Sequence, residues 1–203
     1  MPKKVNKTEK MKAIADVSIT VFKTHGFHDT RMADIAQAAK IGKGTIYEYF
    51  KNKADILRYA LNQYFHAFTL GAMQTMEDVT EPLEKLLSLI EFAFRHAAAW
   101  EDHCTVYVDY FGTARREQEF RIYLDGIYTD MEFILESIIK EGQQAGKFDM
   151  AFDSAAVAVL LVSLYEGVIL YDVFKGKPGN RKIIRDAAVR LIARGLKSDR
   201  PEK

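Results

Sequence analysis

The chain has 203 residues, 48% of them hydrophobic and 28% charged, which fits a globular protein with one large domain or two small ones. A single cysteine, Cys104, excludes an intrachain disulfide, and few stretches alternate apolar and polar residues, so helix is the expected class throughout. The net charge of +1 hides an asymmetry: residues 1–53 hold eleven Lys/Arg against five Asp/Glu, a net of +6, and residues 54–203 carry −5.

Positive charge gathered in one quarter of a chain is what a polyanion partner requires, with solubilising surface lysines as the plain alternative. The opening residues "MPKKVNKTEK" are basic, but no apolar stretch follows, so no secretory signal is expected. The most apolar run, Ala155–Val162, is expected to fall short of a membrane span before Ser163, Glu166 and Asp172 interrupt it. A cytoplasmic protein with no membrane partner is the expectation.

The first helix is predicted from about Thr8 to His25, with Ile14, Val17, Ser18, Val21 and Phe22 along one face. Gly26 is placed to end it. Thr30 is then expected to cap a short second helix over 31–39, with Met32, Ile35, Ala36 and Ala39 turned inward. In "KIGKGTIYEYF" two glycines, Gly42 and Gly44, are expected to supply the backbone angles of a sharp turn, with Ile41 as its apolar plug. Ile46 and Phe50 mark the inward face of a third short helix, and Asn52 is expected to cap a fourth with Asp55 in its first turn.

Short helix, tight turn, short helix is the helix-turn-helix arrangement. Its projecting third helix would enter the DNA major groove. The outward side chains Lys43, Thr45, Tyr47 and Tyr49, backed by Lys51 and Lys53, suit phosphate contacts. The structural alternative is a helical corner with a solvated basic face.

The stretch "GFHDTRMADIAQAAKIGKGTIYEYFKNKADIL" resembles the TetR family of bacterial transcriptional regulators. The resemblance rests on Gly26, Phe27, Thr30, Ile35, Ala36 and Ala39, then Ile41, Lys43, Gly44, Thr45, Ile46, Tyr47, Phe50, Lys53 and Leu57, and covers residues 10–60. Three positions depart from the family pattern: Lys40 stands where a turn glycine is usual, Glu48 lies within the reading helix, and Arg31 replaces a small hydroxylated residue. The expected DNA contacts are Thr30, Lys43, Gly44, Thr45, Tyr47, Tyr49 and Lys53, with Arg31 as a further phosphate or base contact outside the family pattern; the expected partner is double-stranded DNA with a palindromic operator.

Further on, a long fourth helix is predicted from Lys53 to about Met76, then helices over about 83–100, 102–111 and 118–142, with Gly146 as breaker. The last pair, about 154–174 and 179–196, begins with a helix apolar on nearly every side. The expected fold is therefore all-α with about nine helices. A helix-turn-helix DNA-binding domain would occupy residues 1–52 and an effector-binding and dimerisation domain residues 53–203. The resemblance implies a homodimer through the last two helices, and a two-fold DNA reader independently needs two reading helices about 34 Å apart.

The resemblance also implies a pocket for a small-molecule effector among the middle helices. Candidate contacts are Phe92, His96, Trp100, Tyr107, Phe111, Tyr128, Tyr165 and Glu166, weighed against ordinary core packing of aromatic residues. An apolar or aromatic effector is expected, and the expected role is that of a repressor which the effector releases from DNA. No cofactor is expected. The segment "WEDHC" brings Asp102, His103 and Cys104 together, yet adjacent helical residues point apart, and His96 with His103 alone is no zinc signature, so no metal is expected. No nucleophile elbow or phosphate-cradling glycine loop is present, which makes an enzyme a poor reading. The alternative from another class is a helical small-molecule-binding or interaction module whose DNA head no longer reads sequence.

Overall fold

The computed structural model describes residues 6–114, 118–175 and 180–198, without the side chains of residues 98–102, 107 and 109–114. Eight helices follow one another among the described residues: α1 (Lys7–His25), α2 (Met32–Ala38), α3 (Lys43–Tyr49), α4 (Lys53–Gln74), α5 (Pro82–Ala114), α6 (Gln118–Gln144), α7 (Ser154–Lys175) and α8 (Arg181–Gly195). Extended pairing in the described residues is confined to one bridge between Phe148 and Lys197. The two helices expected on either side of residue 101 form a single α5 of 33 residues. No glycine or proline interrupts residues 83–111, and a cluster of charges does not by itself end a helix.

The chain divides into two compact units. The first takes in α1, α2, α3, α4 up to Ala67 and α5 from Asp102. Its core is built from Ile14, Phe22, Ile35, Ile46 and Phe50, as expected, and is extended by Ile19, Phe27, Ile56, Leu57 and Leu61. Val17, Ala39 and Ile41, expected in that core, are only half-buried. Gly26 ends α1 with φ 78°, a conformation that costs a side-chain-bearing residue energy. Asn52 caps α4, its side chain accepting from the Asp55 amide at 2.8 Å.

Two local expectations are corrected. The N-cap of α2 is Arg31, whose amide donates to the Asp34 carboxylate at 2.8 Å; Thr30 lies one residue earlier, 2% exposed, with its hydroxyl donating to the Gly26 carbonyl at 2.7 Å. The turn between α2 and α3 uses neither Gly42 nor Gly44 at positive φ. Lys40 takes the left-handed conformation itself, with φ 54°, and Gly42 is an extended N-cap with φ −65°. The backbone turns at the position after the C-cap of α2, where the helix must reverse, whichever residue stands there.

The second unit holds α4 from Phe68, α5 up to Glu101, and α6, α7 and α8. Leu86, Leu135, Ile138, Ile139, Phe148 and Ala158 lie at its centre. Gly142 lets the Phe148 ring lie directly on α6, since a Cβ there would sit 2.1 Å from the ring. The Asp149 amide donates to the Leu196 carbonyl at 2.9 Å and the Ser198 amide to the Lys147 carbonyl at 3.1 Å, which ties the turn after α6 to the end of α8.

Helix α7 packs Val157, Ala158, Val162 and Ile169 inward but leaves Leu160, Leu164, Tyr171 and Phe174 exposed. By length and composition alone it is apolar enough to cross a membrane, with a mean hydropathy of 1.9 over its most apolar window. The helix spans Ser154–Lys175, close to the expected 154–174, and takes in Ser163, Glu166 and Asp172, the residues expected to interrupt its apolar run. Asp172 is fully buried against Arg181, their Oδ2 and Nε atoms 3.0 Å apart.

Candidate DNA-reading face and effector cavity

The first unit places α3 so that Ile46 anchors it to the core at 0% exposure and its other side faces out. Lys43, Gly44 and Glu48 are exposed, Tyr47 is 50% exposed, and Thr45 and Tyr49 are half-buried. No side chain caps the start of α3, and nothing lies within 4 Å of where a Cβ on Gly44 would stand. Another molecule's backbone can therefore approach this end closely. Arg31 is exposed at the start of α2 and Lys51 just beyond α3. The cations Arg31, Lys43 and Lys51, with the Tyr47 hydroxyl, give the face the donors that phosphate oxygens accept.

Thr30 and Lys53, also expected on this face, are placed otherwise. The Thr30 hydroxyl is turned into the unit, as described above. The Lys53 ammonium donates to three backbone carbonyls, those of Phe27 at 2.6 Å, His28 at 2.7 Å and Thr30 at 3.0 Å. It also sits 4.7 Å from the centroid of the Phe27 ring.

The second unit holds a partly open cavity of about 70 Å³ between α4, α5, α6, α7 and α8. Its wall includes Phe68, Ala93, Phe94, Met131, Leu161 and Tyr165, and no charged residue lines it. Aromatic edges form one side: the Phe94 and Tyr165 rings meet at 6.1 Å and 79°, and Phe68 lies 6.5 Å from Tyr165.

Of the eight expected effector contacts, Tyr165 lines this cavity. Phe92 is buried but lies off it, 5.2 Å from the Phe68 ring and 4.1 Å from the ring of His96. His96 is exposed, its Nδ1 2.9 Å from the Phe92 carbonyl. Tyr128 packs against the central cluster and hydrogen-bonds the half-buried Glu166. Burial pushes the Glu166 carboxyl above the usual range, and the Tyr128 hydroxyl partly opposes that. The side chains of Trp100, Tyr107 and Phe111 lie outside the described residues.

Sequence reasoning missed most of the lining, Leu89, Ile90, Ala93 and Ala188 among it. These positions share the helical periodicity of ordinary core residues, and the one available signal was a small alanine within a row of large side chains. Among the described residues no three His, Cys, Asp or Glu side chains converge on a metal-sized site.

Comparison with known proteins supplies the family. Residues 14–60 match the description "Bacterial regulatory proteins, tetR family", and residues 96–181 match "Tetracyclin repressor-like, C-terminal domain". The chain is 24% identical over 190 residues to the fatty acid metabolism regulator protein of Bacillus subtilis, covering 94% of this chain and 97% of that protein. The structure of the regulator FadR from Bacillus subtilis in complex with stearoyl-CoA superposes with a TM-score of 0.78 at 24% identity, over 91% of this chain and 98% of that one. A transcriptional regulator from Saccharomonospora viridis in complex with choline superposes with a TM-score of 0.81 at 21% identity, over 94% and 99%. An outward-facing short helix after a tight turn, a second helical unit with its own cavity, and a family match in each half agree: the chain belongs to the TetR family of bacterial transcriptional regulators.

Proposed function

We propose that this DNA-binding regulator acts in the cytoplasm as a homodimeric repressor, released from its operator by an effector carrying an apolar acyl chain. The observation that carries the effector class is the partly open cavity, lined by residues of five helices with no charged side chain among them. An alkyl chain entering it gains ~0.8 kcal/mol per buried methylene. A related regulator of fatty acid metabolism and a fold neighbour holding stearoyl-CoA favour an acyl thioester over other apolar molecules. Tyr165 would contact the chain, and the Tyr128–Glu166 pair borders the same helices.

In this reading Arg31, Lys43, Gly44, Thr45, Tyr47 and Tyr49 contact the operator. The exposed apolar residues of α7 and α8, Leu160 at 67%, Phe174 at 74% and Leu191 at 73%, cover one another across a two-fold axis. Two arrangements of the dimer differ in the spacing of their reading helices. An effector that binds the non-operator arrangement more tightly releases DNA by that difference in affinity.

The test titrates a straight-chain acyl-CoA series against the protein bound to a duplex it selects from a random pool. The reading expects affinity to rise ~4-fold per added methylene, from ~0.8 kcal/mol each, until the chain outgrows the cavity, with DNA release in step. Effector binding that leaves duplex affinity unchanged would refute the coupling. A flat response to chain length would refute the acyl class.

A further inference from the structure

Lysines beside a reading helix ordinarily contact phosphates, and the place of Lys53 in the sequence predicts the same of it. Its geometry assigns it a different task. An ammonium group carries three N–H donors. At Lys53 all three meet backbone carbonyls, of Phe27, His28 and Thr30, at 2.6–3.0 Å, while the Phe27 ring presents its face at 4.7 Å. Those carbonyls belong to the turn between α1 and α2. A phosphate oxygen would have to displace one of these charge-assisted bonds to reach the ammonium.

We infer that Lys53 is a positioning residue: it ties the first residue of α4 to the turn that precedes α2, and so sets the angle at which α2 and α3 meet DNA. The chain of contacts is continuous. Thr30, whose carbonyl Lys53 holds, is anchored to Gly26 through both its amide, at 3.3 Å, and its hydroxyl, at 2.7 Å. The next residue, Arg31, is the N-cap of α2, and the Ile41 amide that leads into α3 donates to the Ala36 carbonyl of α2 at 3.0 Å. Loss of the ammonium removes three charge-assisted hydrogen bonds at once and loosens the base of the reading face. The inference rests on the reading of α3 as the DNA-contacting helix.

Salt dependence separates the two roles. A lysine that neutralises a phosphate contributes about 0.9 to the slope of log affinity against log salt, and a lysine held by carbonyls contributes little. With the duplex selected by the wild-type chain, Lys53→Met should weaken binding on the order of 10-fold at every salt concentration, with the slope within ~0.3 of wild type. Lys43→Met should lower the slope by ~0.9. Lys53→Arg keeps the charge, but its flat guanidinium cannot turn three donors onto three convergent carbonyls. It should weaken binding with an unchanged slope, and it tests the inference even where Lys53→Met folds poorly.

In the free proteins, amide exchange at Thr30 and through α2 should be faster in both Lys53 variants than in wild type. A Lys53→Met slope lowered by ~0.9, or a Lys53→Arg variant that binds and exchanges as wild type, would overturn the inference. If the wild-type chain selected no duplex, the DNA reading itself would fail, while the exchange comparison would still judge the role of Lys53.

Discussion

Filling the cavity should separate effector binding from DNA binding. Ala93 lines the cavity on α5, and leucine there adds three carbons to a space of about 70 Å³. At ~24 cal/mol per Å³, filling that partly open space is worth at most ~1.7 kcal/mol. Burying three further carbons at ~0.8 kcal/mol each gives ~2.4 kcal/mol by a second route. Overpacking takes back roughly 1–3 kcal/mol, so Ala93→Leu should leave stability within about 2 kcal/mol of wild type. The effector loses room for about three methylenes, close to 2.4 kcal/mol or ~50-fold in affinity. Thermal unfolding with and without a long-chain acyl-CoA reads the binding, and fluorescence anisotropy of a labelled duplex reads the DNA. The expected result is unchanged duplex affinity and a release curve displaced to ~50-fold higher effector. Release at the wild-type effector concentration would show that the effector sits elsewhere.

Three further outcomes follow from the same geometry. Lys40→Gly relieves a left-handed backbone at a lysine and should stabilise the protein by up to ~1 kcal/mol in denaturant titration, less the extra entropy glycine brings to the unfolded chain. Leu160→Glu places a charge on the exposed apolar face of α7, and sedimentation should show dimer affinity lowered ~100-fold, with a folded monomer by circular dichroism. Glu166→Gln addresses the half-buried carboxyl on α7. Because its folded value is raised, its contribution is full below the ordinary glutamate range and lost as pH rises through the raised value. The variant should therefore be more stable than wild type at neutral pH, with the difference shrinking on acidification, and a pH-independent difference would contradict the cause given.

The all-α class and the helix boundaries around Gly26, Asn52 and Gly146 were legible because each rests on local chemistry: periodicity, capping oxygens, and glycines placed to end a helix. What escaped depends on distance along the chain. The destination of the Lys53 ammonium, 23 to 26 residues back, leaves no mark on the residues around it. Thr30 occupies a plausible cap position, but the hydroxyl was already committed to the preceding turn. Lys40 adopts the conformation that the sequence pattern reserved for glycine, because the reversal after α2 fixes the backbone more strongly than one side chain resists it. The cavity was hidden for a different reason. Its lining obeys the same spacing as a filled core, and whether a row of leucines and alanines leaves a gap is settled only when five helices meet.

The most direct test of the account is selection of duplexes by the wild-type chain from a random pool, repeated with Lys43→Ala. The account predicts one enriched sequence with two-fold symmetry, half-sites about one helical turn apart, and a salt slope ~0.9 lower for the variant. Enrichment of no sequence, or the same slope for both proteins, would contradict the assignment of α3 as the helix that meets DNA.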